Sequence, residues 1–545
     1  MAWKQKQPKI PFEPFDTLHE KLAKINGIEN LKEFLNPTIS HTHDPYLLKN
    51  IEPLVNRILI AIKNNHKIII YADVDYDGIS SAVILYKWLV NFTENVFIKH
   101  VERSIGHGSE FIIDQIEDDT DLYIAVDSSS NDIEALKVLV ERGIDCLVID
   151  HHTVNVQNPY CILVNPRQDG CNYPNKNVSG GLLVWKVCSV LDDYMNTKYS
   201  YQHIDLAGFA VAADMMSMKE MENRFYYKYA LENVKHGGLQ LLFKELGKDI
   251  EKLSGTDFSY GVAPCITAAT RADKMDLALR FMLSEDVDET KELVKQLVKE
   301  NDRRKEIQAL AVERLKPQIN HSDNCIVLYD PNIGKGYNGL VAQDISQNNN
   351  RPTIILGNAD DSEYYSGSYR WNDNEFSMMD LLNECLYAKY GAGHDGAGGT
   401  SVRKDELILL RNELNEKLSD YLFDDSLFYD LEFARSEVDE RLISQIQEFY
   451  KVTGKDFEQG NFRITDLFIN NKKPMGKNKN TVKVFCDNLE LMKFKTDTEY
   501  YDRVPVFSYV EAVGSLNMNY WTQYRPKYKV IKTCQLFIEE YREIK

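Results

Sequence analysis

The chain has no cysteine framework. Nine cysteines lie scattered through 545 residues, an odd number with no CxxC pair among them. That argues against a disulfide scaffold and a structural zinc site, and for reduced thiols in a core. No apolar run approaches the ~20 residues of a membrane helix, and Lys186 interrupts the best candidate. The opening MAWKQKQPKIPF holds no apolar signal core, so a cytoplasmic protein is expected. Internal repeats and low-complexity tracts are missing. Positive charge is scarce: 64 Lys and Arg against 83 Asp and Glu leave a formal net charge of −19. Such a balance speaks against a protein coated in basic surface for nucleic acid, though not against one with local positive patches. Hydrophobic content is an ordinary 43%, and the length calls for several units rather than one core.

Acids are present where apolar runs stop. Lys67-Ile68-Ile69-Ile70-Tyr71-Ala72 leads into Asp73-Val74-Asp75-Tyr76-Asp77-Gly78, Leu122-Tyr123-Ile124-Ala125-Val126 into Asp127, and Cys146-Leu147-Val148-Ile149 into Asp150-His151-His152. Short β-branched runs read as buried strands of a parallel sheet, whose ligands gather beyond the carboxyl ends of the strands. One acid at one strand end is a cap or a turn residue. Three in succession, with an imidazole among them, point to a metal site. Alternation along DVDYD is expected to aim Asp73, Asp75 and Asp77 to one side. Carboxylates suit Mg²⁺ and Mn²⁺, and an imidazole favours Mn²⁺. So many acids repel one another unless cations neutralise them, and two ions roughly 3.5–4 Å apart form the usual arrangement for phosphate-ester hydrolysis. A fourth segment, His203 to Asp214, is rich in Ala and Gly and reads as a buried helix or strand ending on an acid.

The series DVDYDG, VDSSS, IDHH and AAD resembles, in order, the four motifs of the DHH phosphoesterases. Within that superfamily the chain resembles the RecJ family of single-strand-specific 5′→3′ DNA exonucleases from end to end. Asn165-Pro166-Arg167 through Tyr173-Pro174 to Ser179-Gly180-Gly181, Met218 to Arg224, Ala263-Pro264 with Arg271, Asn301 to Lys305, and Gly393-His394 with Ala397 and Gly399 carry the likeness. Ser128 and Ser129 depart from it, standing where a glycine is usual; so do Thr267, Ala392 and Gly398. None of these removes a proposed ligand.

The expected architecture is α/β and multidomain. Residues 1–50 read as a lead-in of short helices, 51–235 as a doubly wound parallel-sheet DHH domain, and 236–316 as a helical connector ending in a long helix before Pro317. Residues 317–425 read as a second α/β, DHH-associated domain with the glycine-rich GAGHDGAGG. Residues 426–545 read as an OB-like β-barrel for nucleic acid. There Asn471 to Asn480, with Lys472, Lys473, Lys477 and Lys479, reads as a basic loop, and Tyr520, Trp521 and Tyr524 as stacking aromatics.

The resemblance implies a metal-dependent exonuclease of single-stranded DNA, working 5′→3′ in repair, recombination or replication, with two Mn²⁺ or Mg²⁺ ions. Asp75, Asp77, Asp127, His151 and Asp214 are the expected ligands, with Asp127 bridging and Asp73 oriented beside them. His152 is expected on the scissile phosphate or leaving group, with Asp150 orienting an imidazole. Arg271, Ser368, Arg370 and His394 are expected to hold substrate phosphate. Single-stranded DNA is the implied partner of a monomer, with a single-strand-binding protein or a helicase as companion and no membrane. Two alternatives stand beside this reading: a DHH phosphodiesterase of short oligonucleotides or cyclic dinucleotides, and a non-catalytic replication scaffold.

Overall fold

A computed structural model describes residues 2–544 apart from 360, 362, 373–374, 477–478, 497 and 524–528. A short strand, β1 (Trp3–Gln5), pairs in parallel with β12 (Leu427–Tyr429), so the N-terminal segment meets the start of the C-terminal unit. Between them lie two α/β units, and a β-rich unit follows.

The first sheet is wholly parallel: β2 (Ile68–Ala72), β3 (Val96–Lys99), β4 (Leu122–Val126), β5 (Asp145–Ile149) and β6 (Ile162–Val164), in the order β3-β2-β4-β5-β6. Strands β2 and β4 are buried along their whole length. Burial on both faces is why they read as unbroken apolar runs instead of alternating ones. The chain steps outward from β2 to β3 and then crosses back to β4, so the order reverses between β2 and β4. That reversal opens a crevice at the carboxyl ends of the strands. Helices Tyr76–Leu89, Gly180–Met195 and Ile204–Ala213 pack there, and the last two bring in residues distant in sequence. The stretch before Asp214 is thus a helix, with Asp214 at its C-terminus.

Helix Val287–Leu315, about 44 Å long at the α-helical rise, leads to the second sheet. Its N-terminus is capped by Asp286, which accepts the Glu289 N–H at 2.7 Å. The second sheet contains β7 (Ile326–Tyr329), β8 (Thr353–Asn358), β9 (Tyr364–Arg370), β10 (Tyr390–His394) and β11 (Ala397–Arg403), in the order β10-β11-β9-β8-β7. The glycine-rich segment is the β10–β11 hairpin, in which Gly393 opposes Gly398.

The C-terminal sheet has seven strands: β13 (Leu431–Ala434), β14 (Phe462–Phe468), β15 (Asn471–Met475), β16 (Thr481–Cys486), β17 (Leu489–Lys493), β18 (Tyr509–Gln523) and β19 (Lys529–Glu543). Their order is β13-β14-β18-β19-β17-β16-β15. One expectation is corrected here. Asn471 to Met475 is an edge strand, not a loop, and the Lys472 ammonium donates to the Val504 carbonyl at 3.0 Å rather than standing free. Tyr520 is exposed on β18; Tyr524 and Lys477 lie outside the described residues. Buried side chains of the first α/β unit and of the C-terminal unit form one continuous core, whereas the second α/β unit has cores of its own.

Candidate metal centre

The first motif is not a strand face. Strand β2 stops at Ala72, and Asp75 is already the N-cap of helix Tyr76–Leu89, its Oδ1 accepting the Gly78 N–H at 3.1 Å. The chain turns from strand to helix within DVDYD, so period-two alternation does not order these acids. Asp77 points instead at the N-terminus of helix Gly180–Met195. It accepts the N–H groups of Gly180 (2.8 Å) and Gly181 (2.7 Å), the donors a helix start leaves free.

Asp127 follows β4 in the left-handed conformation, φ +60, while its N–H continues the sheet to the Ile149 carbonyl at 2.8 Å. Such a conformation costs a non-glycine residue about 1–3 kcal/mol and persists where surroundings enforce it. Ser129 has φ +76, a conformation glycine adopts freely. Its hydroxyl bonds Ser109 at Oγ (2.7 Å) and accepts the Ser109 N–H at 3.2 Å, contacts a glycine lacks.

His151 sits between two acids. Its Nε2 lies 3.2 Å from Asp127 Oδ1 and 3.2 Å from Asp214 Oδ2, yet neither pairing has hydrogen-bond geometry. All three atoms are buried without a partner. Donor atoms of Asp77, His151 and Asp214 lie within 4.8 Å of one another, as do those of Asp127, Asp150, His151 and His152. Asp150 is otherwise engaged: its Oδ1 meets His152 Nδ1 at 2.8 Å and accepts the His151 N–H at 2.7 Å, and its Oδ2 accepts the Ser130 N–H at 3.1 Å. Asp75 stands outside both groups, although its charge bears on Asp127 and Asp214.

The electrostatics sort these groups by role. Burial pushes the Asp127 and Asp214 carboxyls far above the usual range, and the charges of Asp77 and Asp75 push further. Asp77 rises to about 7 and Asp73 to about 6, from burial first and the neighbouring Asp75 second. Burial and the charge of His152 hold His151 down at about 3, so its imidazole is neutral and has a lone pair to offer. His152 goes the other way. Burial opposes its charge most strongly, but the hydrogen bond to Asp150 and the charges of Asp150, Asp214 and Asp73 together outweigh it and raise it to about 9. Crowded carboxylates that ionise with difficulty, beside a neutral imidazole with unpaired nitrogens, fit a hard or borderline divalent cation.

A second cluster flanks the acids. Arg271 ends helix Ala263–Arg271 and donates to the Gly336 carbonyl at 2.7 Å. Burial, then the charges of Arg103, Arg370 and Arg304, draw its guanidinium down to about 9. Arg370, at the end of β9, lies so close over Gly339 that a Cβ there would overlap its Nη2. Arg103, Arg271, Arg303 and Lys335 line a cleft of about 290 Å³. Ser368 lies on the same strand as Arg370, opposite Gly399. His394 ends β10, close enough to His152 for the two imidazoles to repel. Sequence reasoning overlooked Arg103, which carries no motif; only its place in the loop after β3 marks it.

Residues 67–214 match the DHH family, N-terminal domain, and residues 429–531 match the RecJ OB domain. The chain is 27% identical to a putative SPbeta prophage-derived single-strand DNA-specific exonuclease of Bacillus subtilis, over 97% of this chain and 96% of that one. It is 25% identical to the single-stranded-DNA-specific exonuclease RecJ of the same organism, over 92% of this chain and 66% of that one. In fold it is similar to RecJ in complex with Mn²⁺ from Thermus thermophilus, with a TM-score of 0.77 at 20% identity, covering 97% of this chain and 76% of that one.

Proposed function

The chain is a RecJ-like exonuclease of the DHH superfamily, acting on single-stranded DNA, and from that premise we propose which residues carry the reaction and from which end it runs. The observation that carries the proposal is the convergence of Asp127 Oδ1, His151 Nε2 and Asp214 Oδ2, buried and unpartnered. With Asp77 and Asp75 they would hold two divalent ions, Mn²⁺ or Mg²⁺. When bound, such ions acidify a water toward hydroxide and neutralise charge on the phosphate. The helix start at Gly180 and Gly181 aims Asp77, and the strained backbone of Asp127 aims its carboxylate between neighbouring strand ends. Asp150 keeps His152 protonated, so the imidazolium donates to a phosphate oxygen or to the departing oxygen. Asp73 lies beside the site with its carboxyl raised to about 6 by burial and Asp75.

Polarity is carried by the resemblance to the RecJ family, which implies a 5′-phosphate pocket at the guanidinium cluster. Arginine forks grip a terminal phosphate in two places. Arg271 and Arg370, with Ser368, are therefore read as the pocket of the 5′ phosphate, and His394 as a contact beside the scissile bond. The buried, unpartnered donor atoms of Asp127, His151 and Asp214 count against the scaffold alternative. A monomer working with a single-strand-binding protein or a helicase completes the reading. The test is Arg370→Ala assayed on strands bearing a 5′ phosphate or a 5′ hydroxyl. Loss of a charge-assisted contact is expected to shrink the preference for the phosphorylated strand about tenfold or more. An unchanged ratio of the two rates would place the 5′ end elsewhere.

A further inference from the structure

The C-terminal unit reaches the metal centre through a two-residue turn. Gly454 and Phe457 exchange both backbone hydrogen bonds, each 3.1 Å, which leaves Lys455 and Asp456 at the tip. Asp456 takes the positive φ, +64, that tight turns place at such a position. The turn is held from two sides. Phe457 is fully buried, its ring against Phe34, Phe449 and Tyr450. The Lys455 carbonyl accepts the N–H of Met218 at 2.9 Å, shortly beyond Asp214. Gly454 packs so tightly on Met218 that a Cβ would come within 2.7 Å of its Cγ.

The backbone of Lys455 is thereby fixed relative to Asp214. Its side chain is exposed, and no ion pair engages its ammonium among the described residues. The neighbouring acids Asp456 and Glu458 bear on Lys219. The charge of Lys455 bears on Asp214 and on His394, so the lysine lies near both the acid centre and the glycine-rich hairpin. Arg167 bears on His151 and His394 from the same region, whereas Asp75 bears on Arg271 of the guanidinium cluster. Different cations therefore neighbour different members of the acid group.

We propose that Lys455 binds the phosphate next to the scissile one on its 3′ side, and that this is how the C-terminal unit holds the strand at the metal centre. The inference rests on the exonuclease reading, with the 5′ end at the guanidinium cluster. A strand anchored there crosses the acids and leaves past Asp214 and His394, where a fixed backbone presents an unpaired ammonium. An ammonium is a hydrated point charge with three rotatable donors, suited to gripping phosphate without reading bases.

The experiment compares wild type with Lys455→Ala and Lys455→Arg in two measurements. In Mn²⁺, kcat/KM is measured on a long oligothymidylate and on a 5′-phosphorylated dinucleotide, which has a scissile phosphate and no further 3′ phosphate. The ratio of long strand to dinucleotide should fall about tenfold in Lys455→Ala and recover with Lys455→Arg. In Ca²⁺, affinity for the oligothymidylate is measured across salt concentrations, and the slope of log K against log salt should flatten by about 0.7 in Lys455→Ala. An equal fall on both substrates would mark the turn as merely structural and overturn the proposal, as would an unchanged ratio or an unchanged slope. A wild-type protein that binds strands in Ca²⁺ yet cleaves none in Mn²⁺ overturns the exonuclease reading, while the salt slope still decides the role of Lys455.

Discussion

At the scale of the residue, the acids and His151 were legible because each sits where an apolar run stops, a signal that survives without any knowledge of the fold. Their separate roles were not legible. What distinguishes His151 from His152 is one hydrogen bond, from His152 Nδ1 to Asp150 at 2.8 Å, and neighbouring imidazoles in a sequence give no hint of it. The raised carboxyls make a prediction about stability. Asp73 and Asp77 stand at about 6 and about 7 in the folded chain, above the usual 3.8, from burial first and Asp75 second. The folded state thus holds more protons than the unfolded state between about pH 4 and pH 7, and stability falls as pH rises through that window. In EDTA, Asp77→Asn should lose less stability than wild type between pH 5.5 and pH 8, a difference on the order of a few kcal/mol. Excess Mn²⁺ should raise the wild-type melting temperature more at pH 8 than at pH 5.5, since bound cations replace the protons. Identical pH profiles in EDTA for the two proteins would show that these carboxyls titrate normally.

At the scale of the element, strands and long helices were readable from apolar runs and their ends, but the junctions between elements were not. DVDYD has perfect period-two alternation and is nonetheless a strand end, a cap and a first helical turn. Pattern alone cannot place that boundary, because Asp75 serves equally as a strand residue or an N-cap. The glycines of the Ser179-Gly180-Gly181 helix start carry a family likeness in the sequence; the structure supplies their reason. A Cβ on Gly180 would overlap Oδ1 of Asp127, and one on Gly181 would press on Asp77 Oδ1 at 3.0 Å. Gly180 lacks a side chain so that a carboxylate can rest on the helix N-terminus. Gly180→Ala should therefore displace Asp127 and weaken Mn²⁺ binding about 10–100-fold, the range seen when supports of metal ligands are changed. Titration calorimetry with Mn²⁺ reads this directly. Binding within twofold of wild type would mean that the helix start can shift without disturbing Asp127.

At the scale of the whole molecule, the sequence suggested units in series, with an OB-like unit at residues 426–545 following the others. The core says otherwise. Buried residues from Leu22 through Leu297 and from Leu431 through Ile538 belong to one cluster, and β1 pairs with β12. Linear reading misses such a union because nothing in Phe457 or Val452 names its distant neighbours. Arg224 joins the pieces. Fully buried, it stacks its guanidinium on Phe34 at 3.6 Å and faces Phe457 at 4.8 Å, and it donates to the carbonyls of Phe34 (2.6 Å) and Val452 (3.0 Å). Its partners are rings and carbonyls, not acids, and burial draws it down to about 9. One side chain thus ties the N-terminal lead-in, the first α/β unit and the C-terminal unit together. Arg224→Ala should leave a cavity and two unpaired carbonyls, destabilising the protein by about 2–5 kcal/mol. Cutting the chain before residue 426 should be worse, because it strips Phe457 from Phe34 and Thr453 from Gly255 and opens the shared core. The truncated protein should bind the dye ANS and aggregate, and it should not retain dinucleotide turnover. A truncated chain that stays monomeric, melts cooperatively and cleaves the dinucleotide at the wild-type rate would show that the C-terminal unit only guides DNA. Union of the cores instead makes that unit part of the scaffold that holds Asp214, which is why a lysine on it can have a fixed place at the centre.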